Sequence, residues 1–337
     1  MRSWKSIMLA GAGLLAAFPV WASETTIRIA TYGGVFQEAQ VKALFDPYMH
    51  ANPDIKLVID SSASNAKIKA MVEAGAVTWD LVIVDDSFGL EAHAQWLEPI
   101  DYAVVDKEKF IDGMAQKYRL VQSVEGTVLA YNTKTVGEAG PKGIGDYFDL
   151  EKFPGYRTAW KFAASGLLEA ALVADGVKPE ELYPLDVDRA LKKLDTIKEQ
   201  IVWWESGAQS EQLLISGEAD IGLLWIGRAA AHAESGIAID WTDWTPQNAW
   251  WVVPKGAENR EAAMKAIEFF TSAAPQVAFT EFMPYGPSNA SAVNDVKPNF
   301  KGNMPTEHLE TQIPMDMDWW AEHQDEVNLK FQKWLLE

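Results

Sequence analysis

The run Asp80-Leu81-Val82-Ile83-Val84 constrains the fold more than any other stretch of the chain. It is too short for a helix, shows no alternation of polar and apolar positions, and is left through Asp85-Asp86-Ser87. Those properties describe a strand buried on both faces, the environment of a parallel sheet covered by helices above and below. The preceding segments agree. Ile27 to Thr31 reads as a first strand running into Tyr32-Gly33-Gly34. Gln37 to Asn52 reads as a helix with Ala39, Val41, Leu44, Phe45 and Tyr48 on one face, broken by Asn52-Pro53-Asp54. Ile55 to Ile59 is a second strand, and Asn65 to Ala74 a second helix that Gly75 stops. The opening therefore reads β-α-β-α-β, an open α/β sheet with helices on both faces.

Further along, strands are expected at 127–132, 220–225 and 250–254, with a loop-rich segment from Thr133 to Pro154. Helices are expected at 187–199, 211–216, 228–234, 260–271 and 319–336. No internal repeat or low-complexity tract interrupts them. A chain of 337 residues has room for two domains or one large one. The absence of cysteine excludes thiol catalysis, thiolate zinc sites and iron–sulfur clusters. A net charge of −19 argues against nucleic acid and anionic lipid as partners, and is otherwise the ordinary means of staying soluble. Fifteen tryptophans exceed what a core alone needs, and indole rings suit organic cations and apolar groups.

The N-terminus has the layout of a secretory signal peptide. Arg2 and Lys5 precede an apolar stretch from Ile7 to Val20, and Val20-Trp21-Ala22 offers small residues before the polar Ser23-Glu24. Cleavage after Ala22 and a periplasmic location are expected. The apolar run is short for a membrane span, which needs about 20 residues.

Several segments, taken in order, resemble a periplasmic solute-binding protein of an ABC importer, with the spermidine/putrescine-binding family of class II as the nearest pattern. They are Ile29 to Phe36, Trp79 to Ser87, Gly126 to Asn132, Ser216 to Arg228, and Pro284-Tyr285-Gly286-Pro287-Ser288-Asn289. The resemblance implies a class II two-lobed α/β fold, each lobe an open mixed sheet flanked by helices, with the ligand cleft between lobes. It implies a first lobe of residues 23–128 and 252–295 and a second of 129–251 and 296–337. It further implies a small amine-containing or zwitterionic ligand, an inner-membrane ABC permease as partner, a monomer, and neither cofactor nor metal nor enzymatic activity.

Open α/β sheets bind ligands beyond the carboxyl ends of their strands, where Tyr32, Asp86, Ser87 and Trp225 fall. Tyr32 precedes glycines that allow close backbone approach, and otherwise covers a turn. Phe36 is equally a helix-start core residue. Asp86 and Ser87 also suit a helix N-cap. Trp225 could equally be core. Arg228 offers a planar fork for a carboxylate or phosphate, and otherwise a solvated helix position. Trp250 and Trp251 alternate across a strand, so one faces the core and one is free to meet the cleft. Tyr285 faces the site by the resemblance.

One departure matters. Polyamine binders of this pattern carry an acid two residues after a tryptophan in the second crossover and acids at the start of the second lobe. Here the corresponding stretches are Trp250-Trp251-Val252-Val253 and Lys161-Phe162-Ala163-Ala164-Ser165-Gly166. A buried diammonium ligand needs carboxylates to offset its desolvation. With Arg228 present, a zwitterion such as an ω-amino acid is the expected ligand; a polyamine would need Asp85, Asp86 or Glu169. The rival class is an exported hydrolase with a carboxylate pair. The chain has no Gly-x-Ser-x-Gly elbow, His-Glu-x-x-His or P-loop, its five histidines lack metal-ligand spacing, and no adjacent tyrosine pair suggests iron.

Overall fold

The computed structural model describes residues 24–337, so the expected leader lies outside the described residues. Two mixed sheets organise them. The first has the order β2-β1-β3-β11-β4, with β5 also paired to β11. Its strands are β1 (Thr25–Ala30), β2 (Ile55–Asp60), β3 (Leu81–Val84), β4 (Leu97–Glu98), β5 (Leu120–Ser123) and β11 (Ala249–Pro254). The second has the order β10-β6-β9-β7-β8, built from β6 (Gly126–Asn132), β7 (Arg157–Trp160), β8 (Ile201–Trp204), β9 (Ile221–Trp225) and β10 (Ile237–Pro246). In the first sheet β1 runs parallel to β2 and β3, while β11 is antiparallel to β3. All four residues of β3 are buried, as its composition demands.

Around the first sheet lie α1 (Gly34–Gln40), α2 (Asp46–Ala51), α3 (Asn65–Glu73), α10 (Arg260–Phe270) and α11 (Ala273–Phe279). Around the second lie α4 (Thr133–Val136), α5 (Gly143–Phe148), α6 (Leu167–Ala174), α7 (Val187–Asp195), α8 (Gly207–Ser216), α9 (Ile226–Ala230) and α12 (Met317–Leu336). Each lobe has its own core. Ile27, Ile29, Ile83, Trp251 and Phe270 centre the first, and Leu129, Tyr147, Leu168, Trp320 and Phe331 the second. A third cluster, with Val82, Val84 and Trp250 from one sheet and Val128, Trp204 and Leu224 from the other, runs between them.

The expected helix over 37–52 is instead α1, a π-helical turn at Val41–Phe45, and α2. Pro47 at the start of α2 has no N–H to donate one turn back, and the extra residue in the π turn absorbs the break. Arg157-Thr158-Ala159-Trp160 forms a strand although it opens with an arginine. The fully buried guanidinium of Arg157 donates to the carbonyls of Tyr147, Asp149, Phe153 and Gly155 at 2.6–3.1 Å, so its burial is hydrogen-bonded throughout.

The chain passes between the sheets at 124–125, where β5 gives way to β6, and at 247–248, where β10 gives way to β11. These crossings are tied side by side: Gln247 N donates to Glu125 O at 3.0 Å, and Glu125 N to Asn248 Oδ1 at 3.4 Å. Gly126–Asn132 thus lies wholly in the second sheet, and Trp250 and Trp251 in the first. A third passage leads from Asn289, bonded to Thr271 O, to Ile313, bonded to Trp244 O, and on into α12.

Candidate functional site

The loops at the crossings bring residues of both lobes together. On the first lobe, β1 delivers Tyr32, a residue 47% exposed as a whole. Phe36, on α1, lies behind it at 5.6 Å between centroids and touches Phe279 at 5.8 Å and Tyr285 at 6.2 Å. Phe36 is buried and backs the wall as part of the lobe core. Burial raises the Tyr32 and Tyr285 hydroxyls well above their ordinary pKa. Asp85, Glu125 and Asp86 add to the shift at Tyr32, and Glu125 adds to it at Tyr285, where Arg228 opposes it. Glu125 therefore acts on both phenols, and Arg228 of the second lobe on Tyr285.

Asp86 and Trp250 meet each other. The Asp86 carboxylate accepts from Trp250 Nε1 at 2.7 Å, from Asn248 N at 2.5 Å and from Asn248 Nδ2 at 3.3 Å. The Arg119 guanidinium lies 4.0 Å over the Trp250 ring and donates to the carbonyls of Asp86 and Phe88. Burial nevertheless pushes the Asp86 carboxyl up, against the pull of Arg119. This assembly pins the end of β3 to the second crossing. Trp250 is only 3% exposed, and Trp251, on the opposite face, packs on Phe45 and Phe270. Ser87 closes a local turn, its N–H and hydroxyl both donating to Asp85 Oδ1. Glu169 is remote from this site: it is buried in the second lobe, where Tyr183 Oη and Trp320 Nε1 donate to its Oε1 at 2.6 and 2.7 Å.

On the second lobe Trp225 ends β9 against two further tryptophans. Its ring meets Trp160 and Trp204 edge-on, each at 5.1 Å, and those two stack at 5.5 Å. Trp225 Nε1 is buried and finds no hydrogen-bond partner. Among the described residues Arg228, one helical turn on, reaches only Glu211, with Nη1 to Oε2 at 3.4 Å. Most of its five N–H donors remain available. Both side chains depend on Gly207, where a Cβ would stand 2.7 Å from Arg228 Nε and 3.0 Å from the Trp225 ring. Tyr285 comes over from the first lobe to Gly227, where a Cβ would stand 2.5 Å from its hydroxyl.

The structure thus groups Tyr32, Phe36 and Tyr285 on one side and Trp225 and Arg228 on the other, while Asp86, Ser87 and Trp250 bond within the first lobe. The sequence reading passed over Glu125, Glu211, Arg119 and Trp160. Only Glu125 left a trace, as an acid immediately before the strand assigned to the crossover. Among the described residues no group of three or more His, Asp or Glu is placed to hold a metal ion, and no helix is long and apolar enough to cross a membrane.

Two mixed α/β lobes with aromatic and charged groups facing each other across paired crossings define a two-lobed solute-binding protein. The model of bacterial extracellular solute-binding proteins matches residues 43–306, and the chain belongs to that family. A γ-aminobutyric acid-binding protein of Pseudomonas aeruginosa is 32% identical over 335 residues, covering 96% of this chain and 94% of that one. The solved structure of a γ-aminobutyric acid receptor superposes with a TM-score of 0.85 at 39% identity, covering 92% of this chain and 98% of that one. An ABC transporter substrate-binding protein from Bradyrhizobium japonicum gives the same TM-score at 33% identity, covering 92% and 99%. A spermidine/putrescine-binding protein from Streptococcus pneumoniae shares the fold, with a TM-score of 0.73, at only 16% identity. The expected class II fold holds, while the polyamine branch is a distant likeness. The protein is an extracellular solute-binding protein of the kind that serves ABC transporters, not an enzyme.

Proposed function

We propose that this protein captures a small zwitterion carrying both an amine and a carboxylate, γ-aminobutyric acid or a near analogue, and delivers it to the permease of an ABC importer. The observation that carries the reading is Arg228, which stands beside Trp225 with a single long contact and most of its donors uncommitted. A guanidinium fork matches a carboxylate in plane, and the pair strengthens when closure excludes water. Tyr32, Trp225 and Tyr285 wall the alkyl chain. The names of two relatives, a γ-aminobutyric acid-binding protein and a γ-aminobutyric acid receptor, support the same ligand class. In this reading the chain is exported, its leader is cleaved after Ala22, and it works as a monomer that closes about the crossings at 124–125 and 247–248.

The test is thermal-shift screening of the mature protein, followed by calorimetry, against ω-amino acids, betaines, phosphonates, putrescine and spermidine. A ligand that binds the native state raises the melting temperature without turnover. The reading expects γ-aminobutyric acid or a close ω-amino acid to bind most tightly, and the scattering profile to become more compact on its addition. Tight binding of putrescine or spermidine with no response to zwitterions would overturn it.

A further inference from the structure

We propose that Glu125 receives the ammonium group of the ligand and releases a proton in doing so. The inference rests on the zwitterion reading above and assigns that ligand's second pole. Asp86 and Glu125 meet at Asn248, whose N–H and side-chain amide donate to Asp86 and whose Oδ1 accepts from Glu125 N, and Asp85 stands next to Asp86 in the chain; all three acids act on Tyr32. Their remaining hydrogen-bond capacity differs. Asp86 already accepts from Trp250 Nε1, Asn248 N and Asn248 Nδ2. Asp85 is engaged by the N–H and hydroxyl of its own turn residue, Ser87. Glu125 accepts from one group, Ser123 Oγ at 2.7 Å. A carboxylate has about four acceptor sites, so of the three Glu125 alone keeps most of its capacity.

Its place in the fold adds a second argument. Glu125 lies in the first crossing, where Gln247 N donates to its carbonyl, rather than on either wall. Its charge is felt at Tyr32 and at Tyr285, and Tyr285 also feels Arg228 from the second lobe. An acid and a base thus converge on one phenol, the arrangement a short zwitterion requires. A second carboxylate is also needed on energetic grounds, because an ammonium enclosed between lobes without a counter-charge is costly.

The groups around Glu125 determine its protonation. Burial is the main cause that pushes its carboxyl up to about 8, Asp86 adds repulsion, and the Ser123 hydroxyl pulls the other way. Tyr32 and Tyr285 are neutral, their own pKa values being raised. The unliganded site therefore holds a proton at neutral pH. On binding, the O–H bond of Glu125 breaks, the proton leaves to solvent, and the carboxylate accepts from the ligand's N–H groups. The ligand's amine resembles that of lysine, with a pKa of about 10.4, and stays charged throughout. Affinity should therefore climb with pH and level off above about 8.

The test is calorimetry of the mature protein with γ-aminobutyric acid from about pH 6 to about pH 8.5, in buffers that differ in heat of ionisation. The proposal expects affinity to rise about tenfold between about pH 6 and about pH 7, with close to one proton released per ligand at the lower pH. Glu125→Gln should lower affinity by about thirtyfold and abolish the pH dependence. Glu125→Asp should keep the pH dependence at reduced affinity. If Glu125→Gln does not fold, the wild-type pH profile and proton count decide alone. Tight binding that is independent of pH, without proton release, overturns the role of Glu125 and leaves the zwitterion reading standing. Affinity that falls with rising pH also overturns it, because a protonated Glu125 would then be donating to the ligand's carboxylate. No binding of γ-aminobutyric acid at any pH, with another solute raising the melting temperature, overturns both.

Discussion

The two walls of the cleft both carry charge, yet they are built for different work. On the first lobe Asp86 is bonded to Trp250 and Asn248, Asp85 to Ser87, and Arg119 to Gln116 and two carbonyls. On the second lobe Trp225 Nε1 has no partner and Arg228 has one long contact. Groups already paired within the protein set shape and stiffness, because displacing their partners leaves buried polar atoms unsatisfied. Groups with free capacity can bind a solute. The difference teaches that proximity to a cleft does not make a charge a ligand contact; its unused hydrogen-bonding capacity does.

Arg228 offers the largest test of this contrast. Arg228→Ala should cost about 2–5 kcal/mol of binding free energy, measured by calorimetry, with little change in melting temperature. Arg228→Lys should rescue poorly because the fork is lost. Unchanged affinity would erase the distinction between the walls. Next is Asp86→Ala, which strands Trp250 Nε1 and Asn248 N and removes a counter-charge from the Arg119 guanidinium. Urea unfolding should show a loss of about 2–4 kcal/mol. A variant that kept its stability and lost its ligand would move Asp86 to the binding side. Gly207→Ala should then cost about 1–2 kcal/mol of affinity with the fold intact, because the added methyl must displace the Arg228 guanidinium or the Trp225 ring.

The smallest effect concerns Glu169, an acid on neither wall. Burial raises its carboxyl above the unfolded value, and its Oε2 has no partner. The native state therefore binds more protons than the unfolded chain. This acid's contribution to stability is fully present below its unfolded pKa of about 4.3 and is lost as pH rises through the higher folded value. Unfolding free energies measured across pH should show that slope, and Glu169→Gln should flatten it without altering ligand affinity.

The parts of this architecture that follow local rules were legible in the sequence. β3 announces itself by continuous apolarity, and Gly75 and Pro53 mark breaks that the structure keeps. Arg228 could be singled out because it follows a strand end and a glycine. What escaped depends on partners distant in sequence. β7 was not assigned, because nothing local reveals the four carbonyls that let Arg157 open a buried strand. Asp86 looked like a counter-charge because Asn248 and Trp250 lie more than 160 residues away. Glu125 went unremarked, since only the paired crossings reveal its position between the sheets.

The Tyr285 hydroxyl lies where a side chain at residue 227 would stand, so in the proposed closure the bare backbone there would be the stop that sets how near the lobes can come. On the proposed closure, a methyl at that position would press on the Tyr285 hydroxyl and hold the lobes apart while leaving Arg228 and Glu125, the groups proposed to take the ligand's charges, in place. Apparent affinity would then weaken by the fraction of molecules able to shut, while the ranking of solutes stayed the same. In the proposed reading, the charged groups that choose the solute and the contact that sets ease of capture would then be different atoms, and selection could retune the second with little effect on the first.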